Sequence, residues 1–250
     1  QRQMCIRDSS VYTPEELLAD NAFNNIGAKE WMWGADITPE TSTAFASFFS
    51  FMCSYDAGYG GDVGQYRKID ARLYDSMNPT DVRKKLFKHT STGVQYTPQE
   101  AAFPEYTNIK FKKVANWEAD YVYMRVSEMI LTEAEALAHK GDYTGAAQVL
   151  KELMSQRDPS WKANSVTADD VYQQRRLELW GEGFSLFDHL RLKKGIDRNY
   201  EGSNHLSSAR YTIDAGSWYF LYQLPLRELD NSDAIDASEQ NPAPTESKFK

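Results

Sequence analysis

Two amphipathic stripes joined by a short turn are the feature that most restricts how this chain folds. Beginning near Glu118, apolar residues recur every three or four positions up to Leu137, which is the period of one helix face. Lys140 and Gly141 follow, a positive last turn and the residue that best tolerates a left-handed C-cap. A second stripe of the same period occupies residues 146–154. Two helices with so short a link must pack antiparallel.

The pair matches the tetratricopeptide repeat, a helix–turn–helix unit. The matching positions are Ile130, Ala134 and Leu137 in the first helix, Gly141 and Tyr143 in the turn, and Ala146 and Leu150 in the second helix. Ala134 and Ala146 are small enough to let the helices approach closely, and Pro159 ends the unit. A single repeat cannot bury its own face, so a further element must cover it.

A third long helix is predicted from a Thr167 cap to about Lys194, where it covers the pair. Gly181 and Gly183 each cost a helix interior about 1 kcal/mol relative to alanine, so they admit a close neighbour or mark a bend. Aromatic residues of this helix and of the segment after it are assigned to the core: Trp180, Phe184, Phe187 and Trp218.

The region before these helices lacks a clean period. Residues 11–75 end in a glycine cluster and indicate a loop-rich structure. At residues 78–87, Thr80 is predicted to cap one short helix. We interpret residues 1–10 as a non-native leader in which Cys5 is no lipid-anchor site, and we divide the remainder into a middle region, 11–117, and a C-terminal helical region, 118–250.

Composition excludes several classes of protein. A formal net charge of -8 and a pI near 5.1 leave no basic stripe for a phosphate backbone, so no nucleic-acid partner is expected. Cys5 and Cys53 supply neither a disulfide framework nor a structural zinc site. No apolar run has the length of about 20 residues that a membrane span requires.

Four segments, in this order, resemble the SusD/RagB family of outer-membrane glycan-binding lipoproteins. They are YVYMRVSEMILTEAEAL from Tyr121, RRLELWGEGFSLFDHLR from Arg175, YQLPLREL from Tyr222 and QNP from Gln240. The positions that carry the family's structural motif are Arg125, Glu128, Glu178, Glu182, Asp188 and Arg191.

The resemblance implies a mainly α fold, a tetratricopeptide-like helical repeat scaffold that bears an irregular, loop-rich lobe. It also implies a non-enzymatic protein that faces the cell surface at the outer membrane and hands oligo- or polysaccharide to a SusC-like TonB-dependent transporter. Contact with the membrane is expected only through a lipid anchor that lies outside this chain. No cofactor is predicted, and a structural calcium ion is left open.

Two carboxylates invite a catalytic interpretation. Glu178 and Glu182 lie one turn apart on one predicted helix, and a glycoside hydrolase needs a pair of carboxyl groups. The same spacing near Arg175, Arg176 and Arg191 is typical of an ion-pair network that ties helices together. We expect the structural role.

Exposed aromatic rings are the candidate glycan contacts, because a stiff ring covers the C–H face of a sugar while short polar side chains bond its hydroxyls. The candidates are Trp33, Tyr59, Tyr66, Trp31 and Tyr55, with Asp62 and Gln65 as polar neighbours. The alternative is that these rings pack against the helical scaffold.

Three functions therefore compete at this stage. The leading hypothesis is non-catalytic capture of oligo- or polysaccharide. The second is a helical-repeat scaffold that grips a peptide or a partner protein in its groove. The third is a glycoside hydrolase that uses Glu178 and Glu182 as acid and base.

Overall fold

The computed structural model describes residues 10–55, 60–112 and 117–242. The α-helices are α1 (Pro14–Leu17), α2 (Phe48–Met52), α3 (Ala71–Asp75), α4 (Pro98–Ala101), α5 (Val126–His139), α6 (Tyr143–Arg157), α7 (Ala168–Glu178), α8 (Ser185–Arg191) and α9 (Leu226–Asn231). The strands are β1 (Trp31–Ala35), β2 (Tyr121–Arg125), β3 (Ile196–Asp197) and β4 (Thr212–Ile213). Short 3-10 helices occupy Ala44–Ala46, Val82–Leu86, Thr90–Thr92, Ser207–Ala209, Trp218–Phe220 and Ala237–Glu239. The interpretation of residues 1–10 as a leader, Cys5 included, falls almost wholly outside the described residues and stays a prediction.

The predicted tetratricopeptide-like helix pair is confirmed as α5 and α6. Helix α5 ends at His139, with Lys140 as its C-cap and Gly141 at φ +83°. Asp142 then caps α6, because its side chain accepts a hydrogen bond of 2.8 Å from the backbone N–H of Gly145. The small residues at the interface, Ala134 and Ala146, are fully buried. The expected fold, a mainly α scaffold with a tetratricopeptide-like helix pair, is therefore confirmed.

The first stripe is not helical along its whole length. Residues 121–125, predicted as the start of the helix, form β2, which pairs antiparallel with β1. Tyr121 lies opposite Ala35, and Arg125 lies opposite Trp31. The error has a tertiary cause: β1 supplies hydrogen-bonding partners from a segment far upstream, and these favour the extended conformation over the helical period.

The predicted continuous third helix is also wrong. Helix α7 begins after a Thr167 capping box and packs against α5 as expected, but it ends at Glu178. Gly181 and Gly183 adopt φ values of +78° and +91°, which no right-handed helix can accommodate. The two glycines therefore terminate α7 instead of bending it, and α8 is a separate element.

The short helix predicted at residues 78–87 is a 3-10 helix with a different cap. Asp81, rather than Thr80, is its N-cap, and its carboxylate accepts from the backbone N–H of Arg83 at 2.9 Å. The Thr80 hydroxyl instead donates to Asp158 at 2.6 Å. This contact ties the segment to the C-terminal end of α6.

The chain divides into two compact units, unit 1 up to Glu182 and unit 2 from Gly183 onward. The sequence-based boundary lay at residues 117 and 118 instead. The pairing of β1 with β2 joins the two sides of that boundary, so the middle region and the helix pair form one unit. Its core holds many aromatic side chains of the loop-rich region, among them Phe23, Trp31, Phe49, Tyr74, Phe87 and Phe111.

Unit 2 consists of short elements, among them the β3–β4 ribbon. In α8 the buried residue is Asp188, whereas Phe187 is 65% exposed, and Trp218 of the later 3-10 turn is 42% exposed. The assignment of Phe187 and Trp218 to the core is therefore wrong, because α8 turns its acidic position inward. The Phe220 ring does pack, in a stacked contact with His189 at 5.6 Å between ring centroids.

Candidate functional site

Arg125, the last residue of β2, is the centre of a buried charge cluster. One terminal nitrogen, Nη1, donates to Glu30 Oε1 and to Glu178 Oε1, each at 2.8 Å. Nε and Nη2 form a two-pronged contact with Glu182 at 2.8 and 2.9 Å. Nη2 also donates to the backbone oxygen of Glu178 at 2.7 Å. A planar guanidinium suits this role because its five N–H donors point in fixed directions.

Two further cations contact the carboxylates of the cluster. Arg157 at the end of α6 donates to both oxygens of Glu178, at 2.9 and 3.0 Å. The Lys110 ammonium donates to Glu182 Oε1 at 2.5 Å and to the backbone oxygens of Glu178 and Trp180 at 3.2 and 3.0 Å. Three acceptors match the three N–H donors of a protonated lysine.

The cluster is electrically balanced within the part of the chain that the structure describes. Arg83 completes it, with Nη2 2.6 Å from Asp81 and Nη1 3.6 Å from Glu178. Its basic members are thus Arg83, Lys110, Arg125 and Arg157, and its acidic members are Glu30, Asp81, Glu178 and Glu182. All of these side chains are 0–3% exposed. Such burial is tolerated only because each charge has a partner of opposite sign.

The pKa shifts follow from this arrangement. Burial raises the pKa of Glu178, but Arg157 and Arg125 outweigh it and hold the pKa well below its ordinary value. The pKa of Glu182 is also lowered, since Arg125 and Lys110 outweigh its burial. Burial likewise opposes the charged form of Arg125, yet Glu182, Glu30 and Glu178 raise its pKa well above the ordinary value. Both carboxylates are therefore ionised and fully engaged at neutral pH.

This engagement argues against an acid–base role for Glu178 and Glu182. Their side chains are 0% and 2% exposed, so no substrate reaches them, and neither carboxyl has the raised pKa that a general acid needs. The ion-pair role is the one observed, although the partners differ from those expected. Arg125, Arg157 and Lys110 occupy the places for which Arg175, Arg176 and Arg191 were predicted.

The motif residues do not form a single group. Arg125, Glu178 and Glu182 meet in the cluster, whereas Glu128 faces Arg175 at 3.7 Å. In unit 2, Arg191 donates to Asp188 at 2.8 Å, an i,i+3 contact within α8. Sequence reasoning missed Glu30, Asp81, Arg83, Lys110 and Arg157, because their spacing along the chain carries no signal of contact.

Acidification is expected to destabilise the fold through this cluster. The folded-state pKa values of Glu178 and Glu182 lie below the ordinary value of 4.5. Their contribution to stability is therefore fully present above about pH 4.5 and is lost as the pH falls towards the folded-state values. In urea titrations, Glu182→Gln should reduce the slope of the unfolding free energy below pH 4.5 by up to about 1.4 kcal/mol per pH unit. The exposed Glu133→Gln serves as the control, and an equal slope change in both variants contradicts the prediction.

An exposed aromatic pair lies on the β1–β2 ribbon of unit 1. The Trp33 and Tyr123 side chains are 63% and 48% exposed, and their rings meet edge to face with centroids 5.2 Å apart. Trp33 was predicted as a glycan contact, while Tyr123 was missed because it fell within the presumed helix. The strand geometry places both rings on one side of the ribbon.

Two other candidate rings pack against a common partner. Tyr55 and Tyr66 contact Phe103, with ring centroids 5.5 and 5.4 Å away. The Tyr55 hydroxyl is already committed, since it donates to Glu100 at 2.5 Å. Asp62 and Gln65 are exposed on the segment that leads to Tyr66. Tyr59 lies outside the described residues, so its role stays a prediction.

Trp31 is not a surface ring. It is 1% exposed within the core of unit 1, and its indole N–H donates to the backbone oxygen of Ala22 at 2.9 Å. In a regular strand Trp31 and Trp33 would share a face, but the register of β1 against β2 shifts between them, and this bulge turns the two side chains to different sides. Trp31 therefore faces inward and leaves the set of candidate glycan contacts.

Within the described ranges, every helix is too short or too polar to span a lipid bilayer. No grouping of three or more His, Cys, Asp or Glu side chains among those residues is arranged to hold a metal ion.

Taken together, these features define a class: a helical-repeat scaffold locked to an irregular lobe by buried charges, with aromatic rings exposed on a short ribbon. A sequence model of the SusD family matches residues 55–243, which is most of the chain. The chain belongs to the SusD family, which confirms the resemblance to the SusD/RagB family seen in the sequence. No curated protein sequence matched it.

Solved structures support the same assignment. A SusD-like carbohydrate-binding protein from Bacteroides vulgatus shares 25% identity at a TM-score of 0.70, over 97% of this chain and 55% of that one. A SusD superfamily protein from Bacteroides thetaiotaomicron shares 24% identity at a TM-score of 0.68, over 94% of this chain and 53% of that one. The surface glycan-binding protein A from Bacteroides uniformis shares 21% identity at a TM-score of 0.59, over 93% of this chain and 53% of that one. The chain thus spans about half the length of these relatives.

Proposed function

We propose that this chain binds oligo- or polysaccharide without a covalent step and without a cofactor, as part of a protein that faces the cell surface at the outer membrane. In this proposal the captured glycan passes to a SusC-like TonB-dependent transporter. Family membership supports the class of ligand, since the Bacteroides vulgatus relative is described as carbohydrate-binding. The closed, charge-paired state of Glu178 and Glu182 supports a binding role over a hydrolytic one.

The observation that carries the proposal is the exposed pair of Trp33 and Tyr123. Large aromatic rings usually bury most of their surface, and these two remain open to solvent on the paired strands β1 and β2. A ring in that position can cover the apolar face of a sugar at little entropic cost, because its contact with a second ring restricts its rotation. Tyr66, with Asp62 and Gln65 on the segment before it, supplies a second candidate contact region.

Replacing Trp33 with alanine should weaken glycan binding by about fivefold to 150-fold, the equivalent of the roughly 1–3 kcal/mol that one ring contributes in base–aromatic stacking. Affinity gel electrophoresis against a panel of neutral and acidic polysaccharides identifies the ligand, and isothermal titration calorimetry then compares the variants. Tyr123→Ala should show a smaller loss in the same direction.

The matched control is Tyr143→Ala, which removes a ring that is 46% exposed on α6, away from the ribbon. Equal affinities for wild type, Trp33→Ala and Tyr143→Ala contradict the ribbon as the binding surface. Release of reducing ends from the bound glycan by the wild-type protein contradicts the non-catalytic role.

A further inference from the structure

A cleft in unit 1 lies apart from all the predicted glycan contacts. Its volume is about 670 Å³, within the range of small-ligand sites. One wall is the 3-10 helix Val82–Leu86, which contributes Lys84 and Lys85. Another is the C-terminal end of α6, which contributes Ser155 and Gln156. We call this feature the lysine cleft.

Some of the charged side chains that line the lysine cleft are ion-paired within the protein, and others are not. Arg157 and Asp81 belong to the buried cluster, where they pair with Glu178 and Arg83. Lys84 and Lys85 form no ion pair with any described residue. The cleft therefore offers two positive charges to a ligand, on a chain whose net charge is -8. This contrast favours an anion here over the rest of the surface.

Lys84 is held in place by contacts that do not neutralise it. Its ammonium donates to the backbone oxygen of Tyr74 at 3.2 Å and lies 4.1 Å from the centroid of the Tyr74 ring. Burial lowers the pKa of Lys84, while the nearby charges of Asp75 and Asp81 raise it. Lys84 has no ion-pair partner among the described residues, so an anionic ligand would supply one. The contacts with Tyr74 hold the ammonium group in place before the ligand binds.

The remaining lining is rich in hydroxyl groups and contains no aromatic ring. Thr80, Ser91, Thr92 and Ser155 each bring a hydroxyl, and Gln156 brings an amide. The hydroxyls of Thr80, Thr92 and Ser155 already donate to Asp158 and to the backbone oxygens of His89 and Glu152. Their oxygens can still accept hydrogen bonds, which suits the hydroxyl donors of a sugar.

We propose that the lysine cleft binds an acidic saccharide, a sugar that carries a carboxylate or a sulfate. The acid group lies against Lys84 and Lys85, and the sugar hydroxyls donate to the serine and threonine oxygens that line the cleft. The cleft is a second, charge-selective site, distinct from the aromatic pair on the ribbon, so its occupancy does not depend on Trp33.

The test compares trigalacturonate with its neutral methyl ester by isothermal titration calorimetry on the full chain. Wild type should bind the acid at least about tenfold more tightly than the ester, with an affinity that falls as ionic strength rises. Lys85→Gln removes an exposed cation and should weaken binding of the acid by about fivefold to tenfold. Lys140→Gln, an exposed lysine beyond α5, should leave it unchanged.

Trp33→Ala separates this proposal from the previous one, since it should retain the preference for the acid over the ester. Three outcomes overturn the proposal: equal affinity for acid and ester, equal affinity of wild type and Lys85→Gln for the acid, or no measurable binding. Displacement of trigalacturonate by an equimolar glutamate oligopeptide also overturns it, because the cleft would then recognise negative charge without recognising a sugar.

Discussion

Replacing Arg125 with methionine is expected to lower the free energy of unfolding by about 3–5 kcal/mol, the usual cost of removing one partner from a buried charge pair. The substitution leaves Glu30, Glu178 and Glu182 buried with one cation fewer, and Glu182 loses both of its hydrogen bonds to the guanidinium. Urea unfolding followed by tryptophan fluorescence measures the loss.

The charge-conserving variant and a surface control make this prediction specific. Arg125→Lys keeps the positive charge but cannot reproduce the two-pronged contact with Glu182, so its loss should be smaller yet clear. Lys29→Met removes an exposed pair with Glu16 and should cost less than about 1 kcal/mol. Equal losses in Arg125→Met and Lys29→Met contradict a structural role for the cluster.

A double-mutant cycle addresses the balance of charge directly. Glu182→Met removes the carboxylate that both Arg125 and Lys110 contact. Combining it with Arg125→Met restores equal numbers of positive and negative charges. The double variant should therefore lose about 1 kcal/mol or more less unfolding free energy than the sum of the two single losses. Strict additivity would mean that the two side chains stabilise the fold independently.

Replacing Gly181 with alanine is the second large effect, with an expected loss of about 2–5 kcal/mol. Two costs add at this position. The backbone has φ +78°, a region that L side chains rarely adopt, and a Cβ atom would lie 2.6 Å from a ring carbon of Phe111 and 2.9 Å from the terminal methyl of Met52. Chemical denaturation of the purified variant measures the loss.

Gly141→Ala separates these two costs. Gly141 has a similar φ of +83°, but a Cβ atom there meets nothing within 4 Å. Its loss should be about 1–2 kcal/mol, from backbone conformation alone. The difference between the variants then measures the steric contact with Phe111 and Met52, and the absence of a difference would show that the core yields at little cost.

The helix pair shows which part of the fold could be predicted from short stretches of sequence. The end of α5 and the start of α6 follow from the turn at Lys140 and Gly141, and both lie close to their predicted places, whereas α5 begins eight residues later than predicted. Capping, helix period and backbone freedom act over four residues or fewer, so they can be predicted from short stretches of sequence. The Thr167 cap of α7 was predictable for the same reason.

The candidate site was predictable only in part. Trp33 is exposed as proposed, but Trp31, two residues earlier, lies in the core, because a shift of strand register between them interrupts the regular alternation of β1. Tyr123 was missed because the helical period had concealed β2. The lysine cleft carried no signal at all, since its walls come from segments more than 60 residues apart.

The sequence by itself determined the class of scaffold, the turn that joins the helix pair, the net charge and the family motif. The tertiary structure alone decided which cation meets which carboxylate: Arg125 contacts Glu30 and Glu178 across distances of 95 and 53 residues along the chain. The physical reason is that helix period and capping depend on neighbours along the chain, whereas a buried charge selects whichever opposite charge the packing of distant segments brings within hydrogen-bonding reach.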